Sequence, residues 1–373
     1  GERLLTAGAD GRAHLWRVAD GGLLASFIGH DDAIFYADFV DDARLVTGAD
    51  DGTVRLWSVA GGEGKVLETY SKAIIALDVG GGRVASAGAN SALRVTSVDD
   101  GSSVNLGFRH AVWSLELLAG GEQLVTGSFD GSPRLWNSTG GNPLRTFIGH
   151  REAVLRVAVD PSGRWLASGS YDTDVRLWDL QRPVLRQGMA GHRQQISDLA
   201  FDGREQRIAS AAHDGQVRLW SGDGSRSTAI LSSPSGDPIY GVVFSPDDRR
   251  LAGGTSIGDI LLWDVEGEDH ELRVLSGHDK EVWELDYDSR GRRLASASFD
   301  GTVRVWDPAT GSELLTLRGH EQATAVHFEP GDRRIFSGGT EGVVRVWDAS
   351  SGEQLLHFEP NCGEIWRLRR SPD

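Results

Sequence analysis

A motif of about a dozen residues recurs along this chain of 373 residues with a period near 40. The segments GADDGTVRLWSV, GSFDGSPRLWNS, AAHDGQVRLWSG and ASFDGTVRVWDP run just past Trp57, Trp136, Trp220 and Trp306. Equivalent positions fall at Trp16, Trp57, Thr96, Trp136, Trp178, Trp220, Trp263, Trp306 and Trp347, at intervals of 39 to 43 residues. A unit of this size cannot bury both faces of its own strands, so neighbouring units must stack and share a core. Whatever the chain folds into is therefore an array.

Each unit reads as four short strands. AVLRVAV (153–159) leads through Asp-Pro-Ser-Gly to RWLASGS (164–170), a tight turn leads to DVRLWDL (174–180), and a looser fourth strand follows. Apolar residues alternate or run together in these segments, and no helical 3.6-residue period competes. The 49 glycines and 12 tryptophans suit tight turns between packed strands. The second and third strands meet at Asp10-Gly11, Asp51-Gly52, Asp130-Gly131, Asp214-Gly215 and Asp300-Gly301. Asp-Gly is expected there as a two-residue hairpin turn, which requires positive φ. No linker or low-complexity run divides residues 1–373.

Gly-His at Gly29-His30, Gly149-His150, Gly191-His192, Gly277-His278 and Gly319-His320 alternates with Trp-Asp at Trp178-Asp179, Trp263-Asp264, Trp306-Asp307 and Trp347-Asp348. This phased series, covering nearly the whole chain, resembles the WD-repeat propeller family. The resemblance implies an all-β, single closed β-propeller. Nine second-and-third-strand pairs imply nine four-stranded blades. The chain opens on a second strand (GERLLTAGAD) and ends on a first strand (GEIWRLRRSPD), so the C-terminal strand is expected to complete the N-terminal blade. The alternatives are eight blades with one unit ejected, or a segment of a longer array. Unit three is the suspect for ejection, because it lacks its tryptophan (Thr96), Gly-His and Asp-Gly.

Recurring Asp, His and Ser/Thr invite comparison with a hydrolase triad, but a nucleophile is needed once, not once per repeat. In the family resembled, the recurring quartet implies a buried hydrogen-bond network. Its members here are His30, Thr47, Asp51 and Trp57; His150, Ser168, Asp172 and Trp178; His192, Ser210, Asp214 and Trp220; and His278, Ser296, Asp300 and Trp306. An imidazole can donate to the carboxylate and accept from the hydroxyl, while an indole only donates. Unit nine substitutes Glu341, unit three has Tyr70, Ser86, Asn90 and Thr96, and unit seven has Gly253 and Ile257. In unit four His110 stands closer than usual to the following strand. Units three and seven are expected to be locally softest. Arg55, Arg134, Arg176, Arg218, Arg304 and Arg345, two places before the blade tryptophans, are read as strand packing.

The resemblance places binding on the face around the central channel. Two positions per unit reach it: the residue before the turn aspartate (Phe129, Tyr171, His213, Phe299, with polar Asp50 and Thr340) and one near the start of the innermost strand (Phe35, Trp113, Tyr240, Trp283, Trp366). Large aromatics suit protein-binding hot spots. Asp50, Glu281 and Glu364 beside them favour lysine- or arginine-bearing partners.

No P-loop, nucleophile elbow, H-E-x-x-H or paired cysteines occur, so neither a catalytic residue, a metal site nor a cofactor is expected. The formal charge of −16 disfavours nucleic acid and anionic membranes, and no apolar run of about 20 residues exists. One cysteine, Cys362, points to a reducing, cytoplasmic setting. The expectation is a non-catalytic protein–protein interaction scaffold or sensor, monomeric as a domain and part of a larger signalling protein. Its partners would be proteins, basic peptides or another domain of the parent chain. The alternatives are recognition of a small ligand or modified cationic peptide on the channel face, and an enzyme with its active site there.

Overall fold

Period-two alternation and the turn residues produce 36 strands among the described residues. The structure, a computed structural model, describes residues 3–358 and 369–370, except 19, 21, 109, 119, 161, 183, 184, 190, 205, 206, 223–226, 267, 268 and 330. The strands form nine four-stranded antiparallel sheets, eight with strands in sequence order from inside to outside and one with the C-terminal strand innermost, so the fold is a β-propeller of nine blades.

The chain forms two compact units, Gly1–Val157 with Phe358–Asp373, and Ala158–His357. In the first unit, blade 1 combines Arg3–Ala7, Arg12–Arg17 and Leu23–Ile28 with the C-terminal strand Arg369–Arg370. Leu4 pairs with Arg370 and Leu5 with Arg369, so the C-terminal strand completes the N-terminal blade as the phase of the two ends predicts. Blade 2 is Ile34–Phe39, Arg44–Ala49, Thr53–Ser58 and Lys65–Thr69. Blade 3 is Ile74–Gly80, Arg83–Gly88, Leu93–Ser97 and Ser103–Asn105, and blade 4 starts at Val112–Leu117. Blade 3 is a full member of the array: Ala85, Leu93 and Val95 share a core with Trp136 of blade 4, so the ejected-unit alternative is overturned.

The second unit carries blades 6 to 9, whose inner strands are Ile196–Phe201, Ile239–Phe244, Val282–Tyr287 and Ala323–Phe328. Blade 5 begins with Val154–Val159, which contains the boundary between the units.

Second strands are buried along almost their whole length, as in Arg44–Ala49 (RLVTGA) and Arg207–Ala212 (RIASAA). Both faces of such a strand meet neighbouring blades, which explains their small residues. The third-strand tryptophan faces the preceding blade: Trp57 packs with Leu5, Leu15 and Phe27 of blade 1, and Trp306 with Ala252, Ile260 and Leu262 of blade 7. Replacing such a tryptophan with alanine costs about 3–5 kcal/mol.

The turns after the second strands differ from the expected two-residue type. Gly52 donates its N–H to Ala49 carbonyl at 3.2 Å and adopts φ +77°, whereas Asp51 stays at negative φ. Three residues, Asp50-Asp51-Gly52, therefore make a type I turn followed by a left-handed glycine. The reason is chemical. With ordinary backbone geometry Asp51 accepts the Thr53 N–H at 2.7 Å and still presents its other oxygen to the histidine. A side chain on Gly52 would lie 2.5 Å from the Tyr70 carbonyl.

Candidate functional site

The rim of each blade is built by two local devices. The first is a bulge at the start of the inner strand. Register shifts occur between Val112 and Ser114, Ile239 and Gly241, and Val282 and Glu284, with a matching shift between Ile34 and Tyr36. The residue skipped in each is Trp113, Tyr240, Trp283 or Phe35, and the bulge turns its side chain out of the ladder. Phe35, Trp113 and Trp283 are 51%, 48% and 40% exposed, and Tyr240 is half-buried.

The second device is a backbone hydrogen bond from the residue before the turn aspartate to the loop preceding the inner strand. Phe129 N–H donates to Ala111 at 3.0 Å, His213 to Gln195 at 3.1 Å and Phe299 to Glu281 at 3.0 Å. Asp50 and Thr340 repeat it on Ala33 and Gln322. Phe129 and Tyr171 are exposed, while His213 and Phe299 are half-buried.

Four of the nine predicted aromatics meet, all in the second unit. His213 packs edge-on to Tyr240 at 5.5 Å, Tyr240 lies 5.5 Å from Trp283, and Trp283 stacks on Phe299 at 5.2 Å and 16°. The result is a strip of rings across blades 6, 7 and 8. Burial lowers the His213 pKa below its usual value, which keeps that ring neutral near pH 7. Tyr171 stands apart from the strip, and Phe35, Trp113 and Phe129 belong to the first unit. Trp366, Glu364 and Cys362 lie outside the described residues.

Behind this rim runs the recurring polar network. His30 Nδ1 lies 2.9 Å from Asp51 and its Nε2 lies 2.7 Å from Thr47 Oγ1, which also accepts the Trp57 indole N–H at 2.8 Å. A carboxylate only accepts, so Nδ1 carries the proton and the Thr47 hydroxyl donates to Nε2. His192, Asp214, Ser210 and Trp220 repeat this at 3.1, 2.8 and 2.9 Å. His278, Asp300, Ser296 and Trp306 do so at 2.8, 2.7 and 2.9 Å. In blade 9 Glu341 takes the aspartate's place, bonding His320 while Ser337 bridges His320 and Trp347. In blade 5 Trp178 donates to Ser168 at 2.8 Å, and His150 and Asp172 are each half-buried.

Burial lowers the His30 pKa, against the pull of Asp51. Burial also opposes ionisation of Asp51. The Thr53 and Asp31 amides, the Thr53 hydroxyl and His30 outweigh it and hold the carboxyl below its usual range. A neutral imidazole locked to a permanent carboxylate is a structural tie rather than a waiting nucleophile pair.

The departures are rewired. In blade 3 the Tyr70 hydroxyl bonds Ser86 Oγ at 2.8 Å, and Thr96 donates to the buried Glu68 at 2.7 Å. Arg94 pairs with Glu68 at 2.6 Å and lies over the Tyr70 ring. In blade 4 the histidine position is taken by Phe108, not served by His110, which is exposed. The Phe108 ring lies 5.6 Å from Trp136 with the Arg134 guanidinium stacked on it at 4.6 Å, and Arg134 pairs with Asp130 at 2.6 Å. Blade 7 has no hydroxyl at Gly253. There Thr255 donates to the Asp259 carbonyl at 2.8 Å and Ser276 to its carboxylate at 2.7 Å.

Arg218 and Arg345 donate to the carbonyls of Gly191 and Gly319, each at 2.7 Å, so the Gly-His glycine leaves room for the guanidinium.

One set of residues was not singled out from sequence. Carboxylates on the inner strands accept backbone N–H groups of the next blade: Asp78 from Leu117 at 2.7 Å, Asp198 from Val242 at 3.0 Å, and Glu284 and Asp286 from Val326 and Phe328 at 2.9 and 2.7 Å. Their signal was the acidic residue two or four places past the bulge start. His327 sits 3.8 and 3.7 Å from Glu284 and Asp286. Among the described residues no group of three His, Cys, Asp or Glu is arranged to hold a metal.

These features define a class: a repeat-built β-propeller whose blades are tied by a His–Ser/Thr–Trp–Asp network and carry side chains on bulged inner strands. The model of the WD domain, G-beta repeat, matches residues 21–58, 103–137, 141–179, 184–221, 270–307 and 311–348, and the chain belongs to that WD40 family. The stretches between matches include unit three around Thr96 and unit seven around Gly253, where the network is rewired. No curated protein matches the chain. Among solved structures, the crystal structure of the computationally designed Ika8 protein is similar at 27% identity with a TM-score of 0.65. The match covers 82% of this chain and 93% of that one. WD40 propellers commonly serve as protein-interaction scaffolds and are generally non-catalytic.

Proposed function

We propose that this chain is a non-catalytic interaction module that takes protein partners on its aromatic rim, acting as scaffold or sensor within a larger cytoplasmic signalling protein. The observation that carries this reading is the bulge that turns Phe35, Trp113 and Trp283 out of the ladder and leaves large rings in solvent; Phe129 and Tyr171 are exposed as well. A core does not need these rings, and they cost exposed apolar area; a partner that covers them recovers it. The formal charge of −16 selects proteins or peptides with basic segments over nucleic acid and anionic membranes. The recurring Asp and His support no enzyme reading, because the network already satisfies them.

The test compares partner recovery by the wild type, a Phe35→Ala/Trp113→Ala/Phe129→Ala variant and Trp283→Ala, each first shown to melt like the wild type. Loss of a partner with either variant supports the rim, and full recovery with both removes it from the account.

A further inference from the structure

We infer that an arginine-lined cleft between the inner-to-second-strand loops of blades 8 and 9 is a binding site for a doubly charged phosphate group. The cleft lies at the other end of the blade 8 inner strand from Trp283, and the inference does not depend on the interaction-module reading.

The first argument is a comparison within the molecule. The cleft, of about 440 Å³, is lined by Asp288, Ser289, Arg290, Arg292, Arg293 and Asp332. Blade 6 has a sister loop. There Arg207 pairs with Asp202 at 3.0 Å and donates to the carbonyls of Val265, at 2.8 Å, and Asp248, while the Gly203 N–H bonds the Asp248 carboxylate at 2.8 Å. Blade 8 repeats this frame. Arg293 pairs with Asp288 at 3.1 Å and donates to the Ala349 and Asp332 carbonyls at 2.7 and 2.5 Å, and the Ser289 N–H bonds the Asp332 carboxylate at 2.9 Å. These contacts hold the loops and account for Arg293 without a ligand. The two loops part at the remaining arginines. In blade 6 Arg204 lies 3.6 Å from the Asp248 carboxylate. In blade 8 the Ser289 hydroxyl, which Gly203 lacks, takes the second Asp332 oxygen at 2.5 Å, and Arg290, at the place of Arg204, is left over. Arg292 stands where the sister loop has Gln206. Both residues are exposed, and among the described residues no hydrogen bond or ion pair uses either guanidinium.

The second argument is charge. Residues 288–293 and 329–334 carry five arginines against three carboxylates, in a chain whose formal charge is −16. The local sign is opposite to that of the molecule. Burial opposes ionisation of Asp332, but the Ser289 hydroxyl and amide, with Arg293 and Arg290 nearby, hold its carboxyl below the usual range. That carboxylate is already bonded to Ser289, and Asp288 to Arg293, so Arg290 and Arg292 are the cations the loops do not use. A carboxylate ligand offers two oxygens and one charge, which a single guanidinium satisfies. A phosphate monoester offers three oxygens and about −1.5 to −2 charge at pH 7, and so takes a pair of guanidinia. The negative field of the whole chain disfavours an extended anionic surface and leaves a small group that fits the cleft.

The experiment titrates the full chain by calorimetry at about 0.02 M salt, where charge attraction is little screened. The probes are inorganic phosphate and end-capped Gly-phosphoserine-Gly, with Gly-Ser-Gly and Gly-Glu-Gly as controls. The wild type is expected to bind both phosphates, and Gly-Glu-Gly at least about tenfold more weakly. Arg290→Gln and Arg292→Gln, each first shown to melt like the wild type, are expected to lose about tenfold. Arg249→Gln removes an exposed arginine of the blade 7 loop that pairs with Glu266, and is expected to change affinity by less than about twofold. Ser289→Gly removes no charge. It recreates the blade 6 loop, frees Asp332 to hold Arg290 and is expected to weaken phosphate binding about threefold or more, while Ser289→Thr, which keeps the hydroxyl, retains it. Peptide binding at least as tight as that of inorganic phosphate assigns the group to a protein side chain, and weaker binding assigns it to a free ion; either upholds the site. Equal binding of Gly-Glu-Gly, an equal loss in Arg249→Gln, or unchanged affinity in the Arg290→Gln, Arg292→Gln or Ser289→Gly variants overturns it.

Discussion

At the scale of single residues, the hydroxyl between histidine and tryptophan is the economical point of the design. Ser296 donates to His278 and accepts from Trp306, so one buried oxygen satisfies two rings. Ser296→Ala strands both partners, and the expected loss is about 1–3 kcal/mol in a denaturant melt. A loss below about 0.5 kcal/mol would show that the network is spectator chemistry. The same network sets the response to acid. His30 has a pKa lowered by burial, so its contribution is complete above its unfolded value of about 6.5 and is lost as pH falls through its lower folded value. Asp51 and Asp214 are also lowered, so their contributions are present above about 3.9 and lost at lower pH still. Melting temperature should be flat near neutrality, decline first below about 6.5 and more steeply below about 4. His30→Asn should shrink the first decline, to which His213 also contributes, and leave the second.

At the scale of strands and blades, the phase of the repeat was enough to locate every blade, because apolar runs and turn residues recur at the same places in each unit. The segment read as 164–170 is the strand Trp165–Ser170, and 174–180 is Val175–Asp179. What escaped were one-residue events. A bulge has no composition of its own, so the residues near the inner-strand start were legible as rim candidates without the mechanism that aims them. The three-residue turn escaped for a related reason: Asp-Gly fits either turn, and only the carboxylate's second job, holding the histidine, selects one. Phe108 was hidden because its repeat has no histidine at that place and His110 stands nearby. The ring strip was legible as a list of residues but not as a contact, since which rings touch depends on spacing between blades. Blade 3 shows why a missing motif is a poor guide to weakness. Tyr70, Ser86, Glu68, Thr96 and Arg94 supply a complete substitute network, whereas blade 7 replaces the shared hydroxyl only with local turn contacts. Of the two blades expected to be soft, hydrogen exchange is therefore expected to be faster in the strands of blade 7 than in those of blade 3.

At the scale of the whole molecule, blade 1 is the joint on which the array depends, because its four strands come from both ends of the chain. Arg3–Ala7 is paired on one side with Arg12–Arg17 and on the other with Arg369–Arg370 through Leu4 and Leu5. Deleting residues 369–373 removes that second ladder and leaves N–H and C=O groups of Arg3–Ala7 without partners. The direct loss is about 2–3 kcal/mol at roughly 1 kcal/mol per ladder hydrogen bond. The larger consequence is an open edge beside the buried apolar Leu4 and Leu5, a template for pairing with another chain. The charge of −16 opposes such association while it is unscreened. Light scattering should therefore show the truncated chain associating more at about 0.5 M salt than at about 0.05 M, where the screening length is several times longer. The intact chain should stay unchanged across that range. A truncated chain that melts like the parent and stays monomeric at high salt would mean that the terminal ladder contributes nothing to the joint.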